Sequence, residues 1–145
     1  MGDVTEETSA PSGAIDLQDF NRVLGTEFVE VGPDRVVLRC VIQPHLHQPY
    51  GIVHGGVYCA LVETAASVGA ATWLGDKGNV VGVANHTNFI RATREGTLTI
   101  TATPVQRGRT QQLWQVDLVD ERDRLVARGE VRLANLTTAD TLARS

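Results

Sequence analysis

Two hydrophobic patterns divide this chain. One has a period of two. In residues 124–134, Leu125, Ala127, Gly129, Val131 and Leu133 share one face, and Arg128, Glu130 and Arg132 share the other. That is a strand with one side on a core and one in water. Val36, Leu38, Cys40 and Ile42 alternate in the same way over 35–42. Further strands are read over 26–31, 79–91, 96–106 and 110–119. Turn signals separate them at Gly32-Pro33-Asp34, Arg94-Glu95-Gly96, Arg107-Gly108-Arg109 and Asp120-Glu121-Arg122-Asp123. The other pattern is a run from Gly55 to Leu74 that is apolar on nearly every side, closed by Gly75. A helix of that kind belongs in the centre of a fold. A shorter helix is expected from Asp16 as its cap, with Leu17, Phe20, Val23 and Leu24 on one face against the end of a sheet and Gly25 as its stop.

One long helix and about six strands, four of them consecutive after it, make an α+β fold. The economical arrangement is an antiparallel sheet of about five to six strands wrapped around the central helix. Residues 14–137 form the single domain, between a loose N-terminal tail over 1–13 and a C-terminal tail over 138–145. Residues 44–53, rich in His, Gln, Pro and Gly, form a long connection of the kind that carries function.

Composition excludes several classes. In 145 residues, 42% are apolar and 21% charged, values of an ordinary globular domain rather than a disordered, collagen-like or disulfide-dense chain. Cys40 and Cys59 sit in apolar surroundings without paired spacing and read as small hydrophobes. The first dozen residues hold acids and no apolar run, so no signal or membrane segment is expected, and the location follows as cytoplasmic. A net charge of -4 argues against general nucleic-acid binding. Residues 77–116 depart from it, with Lys77, Arg91, Arg94, Arg107 and Arg109 against Glu95 alone. These cations are either solvated strand ends or the site of an anionic ligand.

Chemistry points to the long helix. Histidines aside, Glu63 is the sole charged side chain from Cys40 to Gly75. A carboxylate buried there needs donors or a raised pKa, since burial disfavours its charged form. At the helix start, His54-Gly55-Gly56 offers unpaired backbone N–H groups at the positive end of the dipole. Such donors can clamp a carbonyl or oxyanion, and Gln48 and His54 are positioned to add to them. Gly55 and Glu63 lie about 12 Å apart along the helix axis. One carbonyl carbon cannot touch both, so a shared substrate requires two chains, most simply two antiparallel copies of this helix across a two-fold axis. Ser67, one turn beyond Glu63, either holds a water beside it or bonds back to the Glu63 carbonyl. The four histidines, His45, His47, His54 and His86, have no acidic or thiol partner at metal-site spacing, and no metal is expected. Phosphate-loop, dinucleotide and serine-elbow motifs are absent.

The series Gln48-Pro-Tyr-Gly51, His54-Gly-Gly56, Glu63 and Ser67, continued by Asn88-Phe89-Ile90-Arg91 and Gly108-Arg109-Thr110, resembles the hotdog-fold acyl-CoA thioesterases. The likeness runs from about Phe20 to Leu136. It is closest to the branch of the phenylacetate-pathway, enterobactin-proofreading and one class of 4-hydroxybenzoyl-CoA thioesterases. This resemblance implies a homodimer or homotetramer, an acyl-CoA substrate at the subunit interface and no cofactor. Glu63 would act as nucleophile or general base and Ser67 would place a water, while the Gly55 N–H, helped by Gln48 and His54, would polarise the carbonyl. Gly56, Gly82, Val83, Arg91, Arg107, Gly108 and Arg109 would meet the CoA. Tyr50, Ala60, Thr64, Ala70, Trp73 and Phe89 would shape the acyl pocket, which leaves aromatic and medium-chain acyl groups open. Phe89 stands where the enterobactin-pathway members carry histidine. Two alternatives remain at this point: a hotdog dehydratase or hydratase of hydroxyacyl thioesters, and an acyl-CoA-binding protein without turnover.

Overall fold

The computed structural model describes residues 19–137. Both tails, and the expected Asp16 cap with Leu17, lie outside them. A short helix, α1 (Phe20–Leu24), leads into strands β1 (Thr26–Val31) and β2 (Val36–Val41). The long helix α2 (Gly55–Leu74) follows, then β3 (Gly78–Phe89), β4 (Thr97–Arg107), β5 (Gln111–Val119) and β6 (Leu125–Thr137). The six strands form one antiparallel sheet in the order β1-β2-β4-β5-β6-β3. This is the expected α+β architecture, with α2 laid across one face of the sheet.

The core lies between them. Tyr58, Leu61, Val62, Ala65, Ala66 and Val68 of α2 are buried against Leu38, Ile100, Trp114, Val116 and Leu133 of the sheet. Each large aliphatic side chain buried in this way contributes roughly 1.5–3 kcal/mol. Close approach has a local reason at Gly69, where a Cβ would run into the Trp114 ring. By length and composition α2 could cross a membrane, but half of its most apolar stretch is buried inside this fold.

Two features depart from the sequence reading. In α1 only Leu24 is buried, whereas Phe20 and Val23 are 62% and 58% exposed, so the expected apolar face is not packed on the sheet among the described residues. Gly25 does end the helix, in the left-handed conformation at φ 71°. The second departure is in β3, expected over 79–91 but ending at Phe89, an edge strand paired on one side with β6. Its register slips between Gly82 and Ala84. Such a bulge moves one residue out of alternation, so that Gly82, Asn85, Thr87 and Phe89 lie opposite the inward residues Leu133, Val131, Gly129 and Ala127.

Candidate active site

At the start of α2, His54 is the N-cap and its Nδ1 accepts from the Gly56 N–H at 2.8 Å. The Val57 N–H goes to the His54 carbonyl at 2.9 Å. The Gly55 N–H has no acceptor among the described residues. Of the expected glycine donors, Gly56 is therefore already engaged, and Gly55 remains for a ligand. Because His54 accepts at Nδ1, its proton sits on Nε2, on a side chain that faces solvent. Gly55 must be glycine for a further reason, since a Cβ there would overlap the Phe89 ring.

Gln48 is fixed by its own turn. Its carbonyl accepts from the Gly51 N–H at 2.9 Å, its N–H donates to Ile52 O at 2.8 Å, and its side-chain Oε1 accepts from the Tyr50 N–H. The amide NH2 is thereby turned outward as a donor. Arg94 holds the turn from outside, with Nη1 at 3.3 Å from the carbonyls of Tyr50 and Gly51. Gln48, Gly55, Tyr58, Phe89, Ile90 and Arg91 line one cavity of about 230 Å³. The Gln48 amide, the Gly55 N–H, an aromatic wall and a cation thus share a single cleft.

Glu63 stands two turns further along α2, half-buried rather than encased. Its Oε2 accepts from Asn85 Nδ2 at 3.1 Å, and Asn85 also donates to Cys59 O at 3.0 Å. Thr87 Oγ1 donates to Asn85 Oδ1 at 2.7 Å, which fixes which end of the amide faces the carboxylate. Gly82 lies against Oε1, and a Cβ at that position would overlap the oxygen. Ser67 makes no hydrogen bond to a described residue, so it does not bond back to the Glu63 carbonyl. Thr72 does so with Val68 at 2.7 Å. The Ser67 hydroxyl has no partner among the described residues and lies one turn beyond Glu63, on the stripe of α2 that the sheet leaves partly open.

Glu63 does not line the Gly55 cavity, and the helix separates the two by about 12 Å. Within one protomer the clamp and the carboxylate are apart. Sequence reasoning missed Asn85 and Thr87. The one available signal was polar side chains two apart on a strand next to Gly82, and the bulge hid their direction.

The remaining site residues scatter. Arg91 joins the Gly55 cavity. Arg107 does not present a free guanidinium: Nη1 bonds to Pro33 O at 2.8 Å and Asp34 Oδ1 at 2.7 Å, and the group lies 5.4 Å over the Trp73 ring. Gly108 and Arg109 line a second cavity of about 270 Å³ with Trp73, Lys77, Asn135 and Leu136. It shares no residue with the first. Buried Gln112 supports this end of the molecule, donating to Ala70 O at 3.2 Å and Asn135 Oδ1 at 2.9 Å while accepting from Trp114 Nε1 at 2.9 Å. Val83 is exposed at the β3 bulge. Of the side chains expected around the acyl group, Phe89 is in the cleft, Ala70 is in the core, and Thr64 is tied to Asn21 Oδ1 at 2.9 Å. Tyr50 is 84% exposed on its turn, and Ala60 packs against the core. His45 and His47 each spend Nε2 on a backbone carbonyl at 2.7 Å, and no group of three metal-ligating side chains occurs among the described residues. A third cavity, of about 440 Å³, lies among Glu27, Arg39, Asp120, Glu121 and Asp123, where carboxylates outnumber the one arginine. Those carboxylates would repel an anionic ligand, and the chemistry described above lies elsewhere.

Fold and site together define a hotdog-type thioesterase scaffold. Residues 50–127 match the family model described as the thioesterase superfamily, and the chain belongs to that family. It is 50% identical over 120 residues to the Mycobacterium tuberculosis protein Rv1847, provisionally named an esterase, covering 81% of this chain and 86% of that one. The crystal structure of S. sahachiroi AziG superposes with a TM-score of 0.82 at 51% identity, covering 83% of this chain and 98% of the other. The 1,4-dihydroxy-2-naphthoyl-CoA hydrolase of Listeria monocytogenes is 32% identical over 107 residues, 74% of this chain and 87% of its own. The chain is a thioester-hydrolase homologue by sequence and by fold.

Proposed function

We propose that this protein hydrolyses acyl-CoA thioesters in composite sites shared by two antiparallel copies of α2. The observation that carries this reading is the division of labour along one helix. A carboxylate sits in a slot vacated by Gly82 and is steered by Asn85, and a free N–H stands about 12 Å away at Gly55. A second copy closes that gap. The thioester carbonyl accepts from the Gly55 N–H and the Gln48 amide of one chain, with His54 Nε2–H nearby. Glu63 of the other chain reaches the carbonyl carbon, either by direct attack or by taking a proton from a water beside Ser67. The tetrahedral oxyanion is stabilised by the same donors, an effect of roughly 3–4 kcal/mol for one well-placed donor. Its collapse breaks the C–S bond. After attack by water, CoA leaves as the thiol with the proton that Glu63 had taken. After direct attack, the thiolate takes a proton from solvent and a water hydrolyses the acyl–Glu63 anhydride to the free acid.

No resident cofactor is required, and Arg91 in the cleft, with Arg109 and Lys77 at the second cavity, are cations that would meet CoA phosphates. The aromatic walls at Tyr58 and Phe89, with ring centroids 5.7 Å apart, favour an aryl acyl group, as does the substrate in the name of the Listeria relative. Thiol release from a panel of aryl-CoA and fatty acyl-CoA esters tests this. Aryl esters should turn over fastest, and Glu63→Ala should lose at least about a hundredfold in kcat. Wild-type rates in Glu63→Ala would end the proposal.

A further inference from the structure

Among the described residues, one buried side-chain polar atom has no hydrogen-bond partner: the hydroxyl of Tyr58. Tyr58 is only 3% exposed, so water does not serve the group freely. A buried hydroxyl left unpaired is destabilising, and phenylalanine would fill the same volume without that penalty. Its position is specific. Three residues after Gly55, Tyr58 is on the same side of α2 one turn on, and its ring leans on Phe89 at 51° in the wall of the Gly55 cavity. Burial pushes the phenol pKa up, and the hydrogen-bonding influence of the Thr93 side chain partly offsets it. Yet no atom of Thr93 meets hydrogen-bond geometry with it, and the Thr93 hydroxyl is directed at Arg91 O, 3.4 Å away.

We infer that the Tyr58 hydroxyl is a specificity-determining group, which recognises a hydrogen-bonding substituent on the aromatic acyl group that enters this cleft. The inference rests on the thioesterase reading above and deepens it. An acyl carbonyl held at Gly55 would run its ring along the wall that Phe89 and Tyr58 form, and a small shift of that wall would bring the ring to the one buried polar atom that nothing in the described fold satisfies. Tyrosine both donates and accepts, so a ring hydroxyl suits it. An unsubstituted ring or an alkyl chain would leave it orphaned. Discrimination of this kind is asymmetric, because a buried polar group rejects a ligand that cannot pair with it.

The test compares wild type, Tyr58→Phe and Thr93→Val on benzoyl-CoA and on 2-, 3- and 4-hydroxybenzoyl-CoA, read as kcat/KM by thiol release. Wild type should favour at least one hydroxylated ester over benzoyl-CoA. In Tyr58→Phe that preference should collapse by about tenfold, through a loss on the hydroxylated ester that exceeds any change on benzoyl-CoA. Thr93→Val should keep the preference. The melting temperature of Tyr58→Phe should stay level or rise, because the variant removes an unpaired group. A fall of several degrees, an equal loss on all esters, an unchanged preference, or the same collapse in Thr93→Val would each overturn the inference. Calorimetric affinities for benzoate and the hydroxybenzoates repeat the comparison without turnover. Discrimination there that depends on Tyr58, with no thiol release from any ester, would sink the thioesterase reading and keep Tyr58. Thiol release with Tyr58-independent discrimination would do the reverse.

Discussion

Gly82 on β3 owes its identity to Glu63 on α2: the carboxylate oxygen Oε1 occupies the space that a Cβ at residue 82 would need. A strand residue and a helix residue nineteen positions apart in sequence therefore depend on each other. Gly82→Ala should separate activity from stability. The far end of a glutamate can swing aside, so the fold should tolerate the methyl group with a melting temperature within a few degrees of wild type. The displaced carboxylate, however, no longer points along the slot. Overpacking of about 1–3 kcal/mol, taken up as lost transition-state positioning, gives roughly a five- to hundredfold fall in kcat/KM. Full activity in a folded Gly82→Ala would show that the slot does not aim Glu63.

Asn85 supplies the only donor to Glu63 that the described residues provide. Hydrogen bonds to a charged group are worth roughly 1.5–3 kcal/mol. Asn85→Ala should therefore lower kcat by about ten- to a hundredfold and leave KM nearly unchanged, since Asn85 orients the carboxylate and does not line the Gly55 cavity. Asn85→Asp places a like charge beside Glu63 and should be worse than alanine. Steady-state kinetics on one good ester decide it: a KM effect with intact kcat would mean that Asn85 binds substrate rather than steering the carboxylate.

The contrast between Glu63 and Asn85 shows what the sequence could and could not reveal. Glu63, Gly55 and the bounds of α2 were legible because they break or close a long apolar run, and a helix converts residue spacing directly into distance. Asn85 was not. Simple alternation from Gly82 would aim residues 84, 86 and 88 at the helix and send Asn85 outward. The bulge between Gly82 and Ala84 inverts that order, and nothing in the local composition announces it. Arg107 illustrates a second limit. The basic excess over 77–116 was visible as a count, but its pairing with Asp34, in the turn between β1 and β2, depends on tertiary packing. Phe20 and Val23 illustrate a third, because periodicity marks a face without showing that anything covers it.

The turn joining β5 to β6 should set part of the acid stability of the fold. Asp120 accepts from the N–H groups of Arg122 and Arg124 at 2.9 and 3.0 Å and pairs with the Arg124 guanidinium at 2.7 Å. The Arg124 side-chain hydrogen bond is the main cause that holds its pKa down at about 2, from an ordinary 3.8. A carboxylate depressed in the folded state stabilises it fully above its unfolded pKa and loses that contribution as pH falls through the folded value. The loss should lie between about pH 4 and pH 2. Asp120→Asn should flatten the unfolding free energy against pH in that window, while its difference from wild type stays constant from pH 5 to 7. A difference that keeps changing above pH 5 would exclude Asp120 as the cause.

The proposed two-chain site also fixes where its symmetry axis must pass. If Gly55 of one chain faces Glu63 of another on antiparallel helices, the residue midway between them meets its own copy, and that residue is Cys59. It precedes Glu63 by four positions and so shares its face of α2, is partly exposed, and has its carbonyl held by Asn85. Helices packed in this way lie about 8–10 Å apart, within the span of a short bismaleimide. The reagent should convert the wild type into a covalent dimer, and Cys59→Ser should abolish the product. Cys40 should not contribute, because its thiol is buried, is directed at Leu24 O at 3.2 Å, and has its pKa raised by burial. Cys40→Ser should therefore cross-link like wild type. A protein that sediments as a dimer but gives no Cys59-dependent product would place the interface elsewhere, and with it the two halves of the site would lose the geometry that joins them.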